Sequence, residues 1–260
     1  AAYAYLAYVT AYLKAHYSIE FISALLTSET GNTEKVVKYI NESKERGIRV
    51  LPPDVHKSLL SFSPDNGSIR FGLGAIKNLG QGAVESILKA RAEVGRFKSF
   101  FDFAEKIDLT AVNKRAIESL IKAGALDSID GSRSQKTAAI DRAMEHAQKL
   151  RRDKESGQGG LFGDLFGGDD APQEDLPKVP EWKRMQMLQA EKEMLGFFVS
   201  GHPLDEYEDR IADLRSHETD QLAELPRNFE VKLCGILTSI QRRRSKEGKP
   251  WVALSVEDHK

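Results

Sequence analysis

The segment Leu79-Gly80-Gln81-Gly82-Ala83 is the first place where residue type and spacing suggest chemistry. Two glycines flanking one residue let a backbone come close to a ligand, because neither carries a Cβ. A longer helical stretch follows, so the turn opens onto a helix N-terminus. Free N–H groups and the positive end of the helix dipole make such a terminus a seat for phosphate. Lys77 and Asn78 stand just before the turn and could add contacts to the same anion. The chemistry implied is a grip on a phosphate backbone. The alternative is that Gly80 and Gly82 only make a tight turn between helices.

This arrangement resembles a helix–hairpin–helix, a module that holds nucleic-acid backbones without reading sequence. A second turn, Lys122-Ala123-Gly124-Ala125-Leu126, has one glycine where the first has two. Asp127 and Asp130 beside it would repel phosphate, so this turn is expected to pack and not to bind. The helical run from Ser132 to Asp153 carries Arg133, Lys136, Arg142, Lys149, Arg151 and Arg152. It reads as a solvated face, with Lys149, Arg151, Arg152 and Lys154 as a further candidate DNA contact. Nucleotide loops fit worse. The sequence has no Walker-type phosphate loop, and Gly72-x-Gly74 is followed by Lys77 where a dinucleotide fingerprint needs glycine.

Further along, Gln158-Gly159-Gly160-Leu161-Phe162 sits in a polar, glycine-rich stretch. Exposed apolar anchors on such a tether commonly mark a partner-binding peptide. The spacing looks like the peptide by which bacterial replication proteins hold the ring-shaped sliding clamp. Leu161 and Phe162 would fill an apolar pocket there, with Gln158 at its rim. A near-copy without the glutamine follows at Phe162-Gly163-Asp164-Leu165-Phe166, so a glycine-phenylalanine low-complexity reading stays open.

Near the C-terminal end, Arg242, Arg243, Arg244 and Lys246 precede Trp251 in a pattern that reads as a β-hairpin. A basic loop beside an aromatic on a β face suits a single strand, with charge on its backbone and stacking on its bases. A solubilising hairpin tip is the plainer reading. Catalytic constellations are thin. His16, His56, His146, His202, His217 and His259 have no paired metal spacing, and no paired carboxylates suited to two-metal phosphoryl transfer occur. Neither a catalytic residue nor a metal ligand is assigned. Cys234 alternates into a strand and is expected in the core.

The elements that must position these groups form a mainly α chain. Its 260 residues carry 38 Lys+Arg against 39 Asp+Glu, a net charge of −1 that can hide opposite local patches. The opening run AAYAYLAYVTAYL is too short to span a membrane and reads as a buried amphipathic helix. Ser18 or Asn32 can cap a following helix, and Gly47 stands where a left-handed residue would end one. A small β element follows, with Pro64-Asp65-Asn66-Gly67 as its turn. Helices separated by glycine turns occupy 72–153. The segment 154–180 has six glycines, three prolines and several acids and reads as a flexible linker.

The order of these pieces is more specific than any one of them. AAYAYLAYVTAYLKAHYSIEFISALLTSE, VLPPDV, IRFGLGAIKNLG, LIKAGALD and EKEMLGFFVSGHPLDEY together resemble the bacterial DNA polymerase III alpha subunit, the C-family replicative polymerase. That resemblance covers essentially the whole chain. It implies a distal fingers portion at 1–71 and a tandem helix–hairpin–helix DNA-binding region at 72–153. A clamp-binding linker at 154–180, a helical connector at 181–227 and the incomplete start of an OB-fold at 228–260 would follow.

The same resemblance maps Lys77, Asn78, Gly80, Gln81 and Gly82 onto a hairpin that contacts duplex DNA. Gln158, Leu161 and Phe162 map onto the internal clamp motif. The implied partners are double-stranded primer–template DNA, the sliding clamp ring and single-stranded template at the OB portion, in a cytoplasmic protein without a membrane partner. The family's catalytic aspartates would lie upstream of Ala1, so this chain is expected to be inactive alone. No cofactor is expected within it, and the parent polymerase would use Mg through residues outside. The runner-up is a helix–hairpin–helix scaffold from DNA repair or recombination.

Overall fold

A computed structural model of the chain describes residues 2–155, 175–245 and 248–258. The fold is mainly α with two small sheets, and it divides into compact units at Ala1–Val199 and Ser200–Lys260. In the first unit, helices α1 (Ala2–His16), α2 (Ser18–Ser28) and α3 (Thr33–Glu45) come first. The Asn32 side chain caps α3 by accepting from the Lys35 N–H at 3.2 Å. Ser18 does not cap α2; its hydroxyl donates back to Lys14 O at 2.6 Å. Gly47, at φ 73°, ends α3 with the Gly47 N–H on Lys44 O and the Ile48 N–H on Ser43 O, a Schellman pair.

The opening helix departs from expectation. α1 buries no residue, and Tyr3, Tyr5 and Tyr8 are all exposed. Its apolar residues ring the helix, whereas a core-facing helix gathers them on one stripe. By contrast α2 turns Ile22 and Leu26 inward, and α3 turns Val36 and Ile40 to meet them.

Strands β1 (Val50–Leu51), β2 (Ser63–Asp65) and β3 (Ser68–Arg70) form the first sheet in the order β1-β3-β2. Asn66 and Gly67 both take positive φ, which matches the twist a two-residue hairpin turn needs. Arg70 clamps this hairpin by donating to Asp65 Oδ2 from both Nε (2.9 Å) and Nη2 (2.6 Å). The chain then runs through a 3-10 turn at Leu73–Ala75 into α4 (Gln81–Val94), α5 (Phe100–Lys106), α6 (Lys114–Lys122) and α7 (Arg133–Glu155). Helix α8 (Arg184–Leu195) returns to the same body. One hydrophobic core runs from Ile22 through the sheet and α4–α7 to Leu195, so the expected fingers portion, hairpin region and start of the connector share it.

The second unit holds 3-10 turns at Asp205–Tyr207 and Thr219–Glu224, with α9 (Glu208–Leu214) between them. An antiparallel hairpin of β4 (Ile236–Arg244) and β5 (Pro250–Glu257) ends it. Cys234 lies ahead of β4 in irregular chain and is half-buried, not in the core. Among the described residues no helix is long and apolar enough to cross a membrane.

Candidate nucleic-acid interface

The first hairpin is built by α4 and the turn that precedes it. Ala83, Val84, Ile87 and Ala90 bury one face of α4, Leu79 is buried just ahead of it, and Gly80, Gln81 and Gly82 at its N-terminus are exposed. Gly80 is the N-cap residue and offers no side-chain cap, and the first turn carries no acid. The Ala83 and Val84 N–H groups donate to Gly80 O at 3.0 and 3.1 Å. Gln81 and Gly82 are left as the donors at the helix mouth, where the first N–H groups have no intrahelical acceptor. Gln81 does not close that mouth, because its amide donates to Glu85 Oε1 at 2.8 Å one turn on.

The two glycines are not demanded by the turn. A Cβ on Gly80 or on Gly82 would meet no atom within 4 Å, and neither residue has a positive φ. The left-handed residue of this turn is Asn78, at φ 63°. Gly72 and Gly74 behave in the opposite way: a Cβ there would come within 2.5 Å of Ser61 C and 2.9 Å of Leu60 O. Those two are packing glycines that let the chain cross the Leu60–Phe62 segment. Gly80 and Gly82 keep a surface bare.

Lys77 and Asn78 are both exposed beside this mouth, and both are anchored from behind. The Lys77 N–H donates to Met194 O at 3.0 Å, and the Asn78 amide donates to Ser119 Oγ at 3.4 Å. The structure therefore brings Lys77, Asn78, Gly80, Gln81 and Gly82 to one exposed corner, held by α6 and α8.

The second turn has the other character. Gly124 takes φ 77°, and a Cβ there would collide with the Arg133 guanidinium. Arg133 is buried and donates to Asp127 Oδ2 at 2.6 Å and to Glu191 Oε1 at 2.9 Å. The hydrogen bonds and charges of Asp127 and Glu191 more than offset desolvation and raise the Arg133 pKa further. Lys136, 1% exposed, donates to Leu126 O, Ile129 O and Gly131 O at 2.9, 2.7 and 2.6 Å. Burial lowers its pKa, while the three carbonyls satisfy all its donors. Arg133 and Lys136 thus leave the solvated basic face that the sequence suggests. On the rest of α7, Lys149, Arg151 and Arg152 are all exposed; Arg151 donates to Asp108 Oδ1 at 3.3 Å and to Ile107 O at 3.2 Å, and Arg152 Nε donates to Gln148 O at 3.4 Å.

His56 belongs to a hydrogen-bonded chain that reaches Phe97, Ser128 and Asp54. The Phe97 N–H can only donate, so its 3.1 Å bond makes His56 Nε2 the acceptor and leaves the proton on Nδ1. Nδ1 then donates to Ser128 Oγ at 2.9 Å, and the Ser128 hydroxyl donates to Asp54 Oδ1 at 2.8 Å. The serine stands between acid and base, so this is a structural chain and not a nucleophile with its base. Burial pushes the His56 pKa down; Arg96 and Arg91 add to that, and Asp54 opposes it.

The terminal hairpin divides the arginines that the sequence groups together. Arg243 pairs across the strands with Trp251, its guanidinium 5.6 Å from the ring centroid. Arg242 and Arg244 point to the opposite face, across from Val252 and Pro250. Lys246 lies outside the described residues, as do Gln158, Leu161 and Phe162. Among the described residues no group of three or more His, Cys, Asp or Glu could hold a metal ion.

Sequence reasoning passed over Glu191, Glu193, Met194 and Ser119. A signal for Glu191 existed: it falls in register with Leu188 and Leu195 on the buried stripe of α8, where a carboxylate must find a partner. Its Arg133 partner is 58 positions away in sequence. The backbone carbonyl of Met194 carries no residue-type signal at all.

Known proteins match both the site and the whole chain. The helix-hairpin-helix motif family matches residues 47–136, a span that takes in the small sheet and both glycine turns. The DNA polymerase III subunit alpha of Saccharopolyspora erythraea is 44% identical over 269 aligned residues, covering 99% of this chain and 22% of that protein. The corresponding subunits of Vibrio cholerae and Mycobacterium tuberculosis are 39% and 38% identical, each again over 99% of this chain and 22% of the relative. The chain spans about a fifth of the length of these relatives. Along nearly all of its length the chain is thus similar to one stretch of the DNA polymerase III alpha subunit.

Proposed function

We propose that this chain is the duplex-gripping and clamp-tethering segment of a replicative DNA polymerase. The observation that carries the duplex reading is the bare helix mouth of α4. Gly80 and Gly82 answer no need of the fold, so their lack of side chains serves something that approaches from outside. An uncapped helix N-terminus with Lys77 beside it suits a phosphate, and phosphate contacts carry no sequence information directly. The grip is therefore sequence-independent. Gln158, Leu161 and Phe162 form the clamp-binding peptide by their spacing, and the Arg243–Trp251 pair serves a single-stranded template. Primer extension itself, with its Mg and catalytic carboxylates, belongs to other parts of the polymerase. The match of 99% of the chain to polymerase subunits favours this reading over a repair or recombination scaffold.

The test is duplex binding by the intact chain across a salt series. A protein that neutralises phosphates releases counterions, so log affinity falls linearly with log salt, by about 0.9 per phosphate contact. A steep slope that does not change with duplex sequence is expected. Binding that ignores ionic strength would overturn the reading.

A further inference from the structure

We propose that α8 is a clasp that preorganises the duplex grip, with Glu191 as its positioning residue. The proposal rests on the duplex reading above and deepens it. Three bonds from one end of α8 reach both hairpins. The buried Glu191 carboxylate takes Arg133 Nη2 at 2.9 Å, and Glu193 takes Lys122 Nζ at 3.0 Å. Both partners flank the second turn, Lys122 at the end of α6 and Arg133 at the start of α7. One turn further on, Met194 O accepts the Lys77 N–H at 3.0 Å, directly behind the first hairpin's mouth. Glu191 and Met194 are three residues apart, about 4.5 Å along the helix axis.

The second hairpin is thus the anchor and α8 the arm. Arg133 is rigid in its own right, since Asp127 holds it from the other side and it fills the space beside Gly124. Glu191 on that fixed guanidinium sets the rotation and height of α8, and so where the Met194 carbonyl stands. The Met194 carbonyl in turn fixes the backbone from which the Lys77 side chain and the Gly80–Gly82 mouth project. Glu191 touches no DNA. Loosening it should unlatch Lys77, which would then contact phosphate only after paying its own ordering cost.

The experiment compares wild type, Glu191→Gln, Lys77→Ala and the double variant as intact chains on a short mixed-sequence duplex. Each is measured across a salt series at a temperature where circular dichroism shows it folded. Lys77→Ala should lower the salt slope by about one, the value of one phosphate contact. Glu191→Gln should lower it similarly, and Lys77→Ala should then add little in the Glu191→Gln background. Glu191→Asp, which keeps the charge, should recover part of the slope.

A folded Glu191→Gln variant with the wild-type slope and an undiminished Lys77→Ala effect would overturn the clasp while leaving the duplex reading intact. Salt-independent binding by wild type would remove the duplex reading and the clasp together. Should Glu191→Gln fail to fold, amide exchange on wild type decides. The Lys77 N–H must be protected by its bond to Met194, and exchange as fast as that of Gln81 would overturn the proposal.

Discussion

The Arg133 guanidinium fills the space beside Gly124 that a side chain would occupy, so the second glycine turn is sealed by its own neighbour. The first turn has nothing within 4 Å of the positions where Cβ atoms on Gly80 and Gly82 would stand. Two turns of similar sequence therefore serve opposite ends. One glycine is required by the fold, and the other two are dispensable to it.

Gly124→Ala should destabilise the chain by about 1–3 kcal/mol, because it adds left-handed backbone strain to a clash with a side chain held on two carboxylates. Urea unfolding measures the loss. A variant as stable as wild type would mean that Arg133 is free to move aside.

His56 makes stability depend on pH. Its native state is held neutral by burial, with Arg96 and Arg91 adding to the effect against Asp54. Protonated Nε2 could no longer accept the Phe97 N–H. The unfolded chain then binds more protons than the native one below about pH 6.5, where an ordinary imidazole titrates. The contribution is complete above that value and is lost as the pH falls from it through the depressed native pKa. Thermal midpoints taken from pH 8 to pH 5 should decline on the acid side, and His56→Gln should flatten that decline. Gln supplies an acceptor that does not charge. An unaltered decline in the variant would assign the effect to other groups.

Replacing Leu161 and Phe162 together by Ala should abolish binding to a sliding clamp while leaving duplex affinity unchanged. Surface plasmon resonance on immobilised clamp, beside duplex titration, measures both. Retained clamp affinity would move the peptide elsewhere, first to its near-copy at Phe162–Phe166.

Much of this fold was legible in the residues because local rules decided it. Asn32 and Gly47 bracket α3, and Asn66-Gly67 closes its hairpin, each by chemistry confined to a few neighbouring positions. The candidate mouth was legible for the same reason, since paired glycines before a helix are a local pattern. Long-range contacts were not legible. Arg133 and Lys136 read as solvated basic residues until the fold folds them under the second turn, onto Glu191 and three carbonyls. Tyr3, Tyr5 and Tyr8 read as core because they are apolar, yet α1 has no stripe to bury. Arg242 to Arg244 read as one cluster until strand alternation sends Arg243 to the face opposite its neighbours.

At Gly82, in the first turn of α4, stability and binding should move apart. Gly82→Ala fills open space at an unstrained φ and replaces the poorest ordinary helix former with the best, a gain of up to about 1 kcal/mol. Its methyl group would stand where a phosphate has to approach. The direct measurement is duplex affinity and thermal midpoint for Gly82→Ala against wild type at one salt concentration. An unchanged or higher midpoint with clearly weaker duplex binding is the predicted result; wild-type affinity in a variant at least as stable would contradict the account.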